Sequence, residues 1–594
     1  MIGLGCMRLS TRPDRDGLDA EGVIHAGLDA GATLLDTADV YCHDEKDIGH
    51  NERLIAKALA SWTGDRSAIT VATKGGLTRP GGKWIPDGRA KHLARACEAS
   101  LAALDVGVID LYQLHVVDPR TPLETSVRAL AALQRDGMIR KVGLSNVTVG
   151  QIETARGIAE IAAVQVSLSV LDDENLRNGV AEYCRDAGIQ LIAYRPLGGS
   201  RTERLARDPV LAEVAARHRA TAAEIALAWL LDMDPGVVPI PGATRVDTAV
   251  STGRAASLRL TDEDRHELDR QFPAGRLLRV PRSARRPVPS AASDVVLVMG
   301  MPGAGKSEVG REFEAQGFSR LNRDSRGGSL ADLVPELARG LAQGRRHWVL
   351  DNTYASRAAR NQVIECAWEA GVPVRCVWLR TSLADAQVNA IERLIEAHGR
   401  LPSPEDLRER GRKDSRYFGP DAQFRYERTL EPPVAEEGFT TVEERAFVRR
   451  QAAGREARAV ILDVDAVLGE RDDLAPAPNR RRAITRYQAE GWKFFAHAWR
   501  PRVGSGGLGA DAVTGDLARL RELLGVEIDF GYCPHEAGPP VCWCRKPLPG
   551  LVLEFAARRG VRLEDCVVVG RSAADRTMAE RLRMTLVEPD AFFG

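Results

Sequence analysis

The run VVLVMGMPGAGKSEVGREF, starting at Val295, constrains this chain more than any other stretch. An apolar strand breaks into a glycine loop, and a helix follows at once. Gly300, Gly305, Lys306 and Ser307 fill the GxxxxGK[ST] template, with Gly303 and Ala304 keeping the loop narrow. Small residues let backbone N–H groups close on a β-phosphate, Lys306 supplies a point charge, and Ser307 can hold Mg²⁺. The run predicts an α/β sheet with ATP and Mg²⁺ as its ligands. It begins near the middle of 594 residues, so a different chemistry precedes it.

Length gives about four domain equivalents, fewer if one is a large barrel. Lys plus Arg and Asp plus Glu both number 82, which excludes a global charge bias towards nucleic acid or membrane. No apolar stretch approaches the roughly 18 residues of a membrane span. The start, MIGLGCMRLS, is too short in its apolar part for a signal peptide. Of 10 cysteines, Cys533, Cys542 and Cys544 cluster and the rest scatter, which suits a reduced compartment with one metal site. The expectation is a soluble, cytoplasmic enzyme with no membrane partner.

Composition and periodicity divide the chain. Over residues 1–272, short β-branched runs alternate with amphipathic helical stretches, and seven or eight such units point to a (β/α)₈ barrel. Residues 273–293, rich in Arg, Pro and Ser and without periodicity, predict a linker. Residues 294–450 form the P-loop module. From Ala457, AVILDVDAVLG opens a third α/β unit that runs to residue 594.

In a barrel, polar residues at the carboxyl ends of strands build the site. Those ends carry Asp36 and Tyr41, then Lys74, then His115. With LLDTADVY, NERLI, TKGG, DLYQLH, GLSN, AYRPLG and IPGATR in order, residues 1–272 resemble the aldo/keto reductases. The resemblance begins inside that family's first strand, so its barrel-floor hairpin is not expected. It implies reduction of an aldehyde or ketone, with Tyr41 as proton donor and Lys74 lowering its pKa. Asp36 would hold Lys74, and His115 would bond the substrate carbonyl. Ser145, Asn146 and Gln165 would hold the nicotinamide carboxamide, and Tyr194 would stack on its ring. Thr244 and Arg245 would meet a 2′-phosphate, favouring NADP(H). Arg195, and Ser251 with Thr252, depart from the family pattern at cofactor contacts.

In the P-loop module, Asp324 ends the second strand, where a carboxylate could take the proton of an attacking hydroxyl. Asp351, Asn352 and Thr353 end another strand and suit metal, water or acceptor. Arg393 and Arg400 lie on an expected lid that could neutralise a transferring phosphoryl group. The set, with the EPPVAEEGF tail, resembles the kinase half of polynucleotide kinase–phosphatases.

In the third module, Cys533, His535, Cys542 and Cys544 have the composition of a closed structural Cys₃His zinc site. With ILDVDAVL, the loop resembles haloacid-dehalogenase phosphatases of the histidinol-phosphate type. That implies a Rossmann-like fold, Asp463 as nucleophile, Asp465 as acid/base and Lys546 on the phosphate. Ala466 and Val467, His497 and Arg571 depart from the pattern. Arg571 stands where a Mg²⁺-binding Asp is usual, and is expected to face Asp463 and replace the ion electrostatically, weakening or abolishing phosphatase activity.

The resulting expectation is a multifunctional α/β enzyme that reduces a small-molecule carbonyl with NADP(H) and phosphorylates a hydroxyl with ATP. Two other readings stay open. One is healing of nucleic-acid 5′-hydroxyl ends, with the barrel as redox sensor or docking module. The other is a small-molecule pathway enzyme that phosphorylates its own reduced product.

Overall fold

The computed structural model describes residues 1–280, 282–289, 293–447, 449, 454–468, 478–504, 510–536, 538 and 541–594. It divides into two compact units, Met1–Arg286 and Pro287–Gly594.

The first unit is an eight-stranded parallel barrel. Its strands are β1 (Gly3–Gly5), β2 (Leu34–Asp36), β3 (Thr70–Gly75), β4 (Ile109–Leu114), β5 (Ile139–Ser145), β6 (Ile161–Ser167), β7 (Gln190–Tyr194) and β8 (Val237–Ile240), paired in that order. A parallel bridge between Gly5 and Gly242 closes the ring. Glycine is required at this seam, because a Cβ on Gly3 would lie 2.8 Å from both the Leu34 carbonyl oxygen and Ile240. Leu34, Ala72, Leu111, Ala163, Ile192 and Ile240 form one buried layer inside the barrel, the filled interior that such barrels require. A larger apolar shell packs the helices onto the outside of the strands.

The expected linker starts later than its composition suggests. Residues Pro273–Gly275 and Arg276–Arg279 are helical, and Ala274 and Leu278 are buried in the barrel core. Arg279 pairs with Asp232 and Asp269, and Arg282 pairs with Glu182. The arginines that read as a solvated tether are spent on barrel carboxylates. Residues 290–292 of that stretch lie outside the described residues.

The second unit contains two five-stranded parallel sheets. The first has strands β9 (Asp294–Met299), β10 (Ser319–Leu321), β11 (His347–Asn352), β12 (Val374–Arg380) and β13 (Val442–Ala446), in the order β10-β11-β9-β12-β13. A fully buried Arg360–Glu437 ion pair, bidentate at 2.6 and 2.7 Å, ties the EPPVAEEGF tail to the helix Arg357–Glu369. The second sheet has β14 (Ala459–Asp463), β15 (Lys493–Trp499), β16 (Asp529–Cys533), β17 (Val567–Val569) and β18 (Thr585–Val587), in the order β16-β15-β14-β17-β18. Both sheets are doubly wound, so each places its polar strand ends at a topological switch point.

The two sheets share an apolar core. Ile391, Leu394 and Tyr417 from the first half join Trp543, Leu553 and Phe555 from the second in one buried cluster. Among the described residues, no helix is long and apolar enough to cross a membrane.

Candidate active sites

The barrel strands bring the expected quartet together at their carboxyl ends. Lys74, 1% exposed, donates from Nζ to Asp36 Oδ1 (2.6 Å), the Thr37 carbonyl (2.7 Å) and the Tyr41 hydroxyl oxygen (3.2 Å). The His115 ring packs edge-on against Tyr41, with centroids 5.7 Å apart. All four line a cavity of about 1240 Å³, together with Ser145, Asn146, Gln165, Tyr194, Thr244 and Arg245. The amide row is pre-oriented. Gln113 Nε2 donates to Gln165 Oε1 (2.7 Å), and the Tyr194 hydroxyl donates to Asn146 Oδ1 (2.8 Å). Arg195 also lines the cavity and adopts a left-handed φ of 49°.

In the second unit, the P-loop turns at the end of β9 through three glycines with positive φ, Gly300, Gly303 and Gly305, before the helix Lys306–Ala315. A Cβ at Gly303 would meet the Ala386 carbonyl oxygen at 2.4 Å, so the loop can lie against the next helix only with glycine there. Lys306 Nζ donates to the Met301 carbonyl at 2.8 Å, and Ser307 is exposed. The helix Arg323–Arg326 is capped by Asn322, not Asp324, which leaves the half-exposed Asp324 carboxylate 3.5 Å from Arg323. Its charge reaches Lys306 and Arg393.

Two expectations change here. Asp351 is held by a bidentate ion pair with Arg320 of β10 (2.9 and 2.7 Å), and Asn352 Oδ1 accepts from the Arg323 N–H just after that strand. Arg400 pairs with Asp406 at 2.8 Å on an exposed surface and is not part of this site.

Comparison with known proteins separates the two units. Residues 1–271 match the family model described as the aldo/keto reductase family. A probable aldo-keto reductase of Glycine max is 32% identical over 310 residues, covering 46% of this chain and 86% of the relative. The chain belongs to the aldo/keto reductase family. An uncharacterized oxidoreductase of Schizosaccharomyces pombe is 35% identical over 241 residues, covering 40% of this chain and 74% of the relative. A solved aldo-keto reductase from Klebsiella pneumoniae, in complex with NADPH, is 26% identical, covers 46% of this chain and 90% of its own, and has a TM-score of 0.39. Residues 295–402 match a model described as an AAA domain.

Electrostatics in the aldo/keto reductase barrel correct one expectation. Lys74 was expected to lower the Tyr41 pKa. Burial instead pushes Tyr41 well above its ordinary value, and the Asp36 charge adds to that rise. The physical reason is that Asp36 at 2.6 Å already balances the ammonium, so Tyr41 sees a paired cation. Tyr41 therefore keeps its proton. Burial also drives His115 well below its ordinary value, with Lys74 assisting, so its imidazole is neutral. Its Nδ1 is buried without a partner among the described residues.

Sequence reasoning missed Trp84. It sits on the irregular stretch between β3 and β4, edge-on to both Tyr41 (6.3 Å) and His115 (6.2 Å). The Arg79 guanidinium stacks on it at 3.9 Å, and donates to the Cys42, His43 and Gly82 carbonyls. A Trp in a glycine-rich loop carries no periodicity that would have marked it.

The C-terminal sheet gathers two clusters. In the first, Asp463, His497 and Asp575 are all buried, with ligand-type atoms within 4.8 Å of one another. Lys546 Nζ lies between them, bonded to Asp463 and, at 2.8 Å, to Asp575. Arg571, expected to face Asp463, instead pairs with Asp590 at 2.8 Å on the surface. The Lys546 ammonium already satisfies both carboxylates, and a second cation there would be repelled. Asp465 is exposed and paired with Arg500 at 2.8 Å.

In the second cluster, Cys533, His535, Cys542 and Cys544 converge. The Cys533–Cys542 sulfurs are 3.8 Å apart, and His535 Nδ1 lies 3.5 Å from Cys533 Sγ and 3.2 Å from Cys544 Sγ. Metal–sulfur bonds of about 2.3 Å in a tetrahedron give sulfur–sulfur edges of about 3.8 Å. The donor set fits a four-coordinate ion.

Proposed function

We propose that the aldo/keto reductase barrel reduces an aldehyde or ketone with NADP(H). The observation that carries this is the buried Lys74 ammonium bonded at once to Asp36 and Tyr41 at the floor of the cavity. Bound NADPH would supply the hydride. Ser145, Asn146 and Gln165 would hold its carboxamide, and Tyr194 would cover its ring. Arg245, beside Thr244 at the start of the helix Val246–Ser257, would meet a 2′-phosphate with a cation and a helix N-terminus together. His115, neutral, would donate to the carbonyl oxygen. Tyr41, held protonated, would transfer its proton to that oxygen as the alcohol forms, and Lys74 would stabilise the phenolate left behind. The test is steady-state reduction of an aldehyde panel by wild type and Tyr41→Phe. Loss of about 10²–10⁴-fold in kcat with NADPH binding retained supports the reading; retained turnover in Tyr41→Phe would exclude Tyr41 as the acid.

For the second unit we propose a P-loop kinase, over about 294–450, that moves the γ-phosphate of ATP to a hydroxyl. Gly300, Gly303, Gly305, Lys306 and Ser307 would hold the phosphates and Mg²⁺, with Asp324 as base. Its charge acting on Lys306, with its carboxylate not used as a helix cap, supports this reading. ATP-dependent labelling of 5′-hydroxyl oligonucleotides and of polyols, with Lys306→Ala as control, assigns the acceptor. Labelling of nucleic acid should also fall steeply as salt rises.

The sheet over about 457–594 is proposed as a haloacid-dehalogenase-like domain with little or no phosphatase activity. Asp463 is engaged by Lys546 and Asp465 by Arg500, so neither the proposed nucleophile nor the proposed acid is free. Zn²⁺ is proposed for the Cys/His cluster, as a structural ion.

A further inference from the structure

The P-loop site and the Cys/His loop are joined by two rings and a guanidinium in series. Trp543 lies between the buried Cys542 and the partly exposed Cys544 and is itself fully buried. Its Nε1 donates to the Phe418 carbonyl at 3.0 Å, and the two rings meet edge to face at 6.0 Å. The Phe418 ring carries the Arg393 guanidinium at 5.8 Å. Arg393 in turn donates to the Arg416 carbonyl at 3.4 Å. The charge of Arg393, like that of Arg323, is felt by both Asp324 and Lys306.

The helix bearing Arg393, Leu383–His398, is also fixed one turn earlier. Asn389 Nδ2 donates to the Gly303 carbonyl of the P-loop at 3.0 Å. Its apolar face, including Ile391 and Leu394, is buried with Trp543 in the core shared by the two sheets. A long side chain such as arginine loses considerable rotamer freedom when held in one place. Phe418 supplies the flat apolar surface under Arg393, and Phe418 is itself held by Trp543.

We propose that Trp543 is a positioning residue of the P-loop site: through Phe418 it holds Arg393 where a transferring phosphoryl group would lie. This rests on the reading of that site as a phosphoryl-transfer centre. It makes the Cys/His loop a part of the kinase architecture, and it accounts for why a buried tryptophan interrupts the two cysteine donors.

The test uses the full chain and compares affinity for Mg·ADP with affinity for Mg·ADP plus aluminium fluoride, which mimics the transferring group. Trp543→Ala and Phe418→Leu should each weaken the aluminium fluoride complex by about 10-fold or more, with ADP affinity changed less than about 2-fold. Trp543→Phe, which keeps a ring, should recover most of the loss. Phe418→Leu keeps apolar packing against Trp543, so it remains informative if Trp543→Ala fails to fold. Hydrogen exchange over residues 413–420 should quicken in Trp543→Ala, a readout that needs no turnover. Unchanged aluminium fluoride affinity in a folded Trp543→Ala and in Phe418→Leu would overturn the proposal. Equal ADP binding by wild type and Lys306→Ala would overturn the phosphoryl-transfer reading itself, while the exchange result still reports the Trp543–Phe418 link.

Discussion

Lys306 gives the P-loop a pH dependence whose sign and size follow from its surroundings. Burial pushes its ammonium down from 10.5 to about 8, and the charges of Asp324 and Asp351 only partly oppose that shift. A phosphate chain beside Nζ would bring an opposite charge and draw the value back up. Free protein then loses the proton above about pH 8 while the complex keeps it, so affinity falls as pH rises. At about pH 9.5 roughly 3% of free Lys306 stays charged, so Mg·ADP affinity should drop about 30-fold from its value near pH 7, or about 2 kcal/mol. Stability runs the other way. The folded value lies below the unfolded one, so the unfolded chain binds more protons between about 8 and 10.5. The ligand-free protein should therefore gain stability as pH rises through that window. Calorimetric titration with Mg·ADP at fixed ionic strength tests the first arm, and denaturant unfolding tests the second. Lys306→Arg, whose guanidinium stays charged, should bind with a flat profile. A wild-type affinity that holds constant to about pH 9.5 would refute the burial argument. Identical profiles for wild type and Lys306→Arg would assign the titration to another group.

Three further outcomes follow from buried charge and from the Cys/His cluster. Asp36→Ala leaves Lys74 buried without its carboxylate and should cost about 3–5 kcal/mol of stability in the barrel by urea unfolding. Arg571→Asp should give no gain in hydrolysis of p-nitrophenyl phosphate, with or without Mg²⁺, because Arg571 faces Asp590 and not Asp463. Cys542→Ser should abolish stoichiometric zinc in the purified chain, measured by elemental analysis, and lower the melting temperature of the second unit. Full zinc retention in that variant would remove Cys542 from the donor set.

The barrel and its quartet were legible because the signals are local in character and ordered along the chain. Several strands carry a polar residue at or just beyond their carboxyl end, and closure of the sheet then brings Asp36, Tyr41, Lys74 and His115 to one rim. The P-loop was legible for a similar reason, since its glycines are needed for backbone angles that other residues rarely adopt. What was not legible depends on which charges find each other. Composition alone made Arg279 and Arg282 look like a tether, yet barrel carboxylates remote in sequence bind them. Family position made Arg571 look like a substitute for a metal ion, yet Lys546 reaches both Asp463 and Asp575 first. Tyr41 shows the same limit in energetic form. The sequence places an ammonium beside it and Asp36 as that ammonium's partner, but the depth of burial, which decides the direction of the shift, is seen only in the structure.

That distinction bears on how the second unit is built. Two α/β sheets with separate sequence signals would be expected to fold as separate domains, each around its own core. Here Ile391, Leu394 and Tyr417 are buried in one cluster with Leu553, Phe555 and Trp543 of the other sheet. Removing the C-terminal sheet would therefore strip water-excluding contacts from the helix that braces Gly303 and carries Arg393. The C-terminal sheet thus has a structural reason to be retained that is independent of any phosphatase chemistry. A chain whose Asp463 and Asp465 are both tied up in ion pairs can still need the sheet that holds them, because the helix bonded to Gly303 packs its apolar face against it.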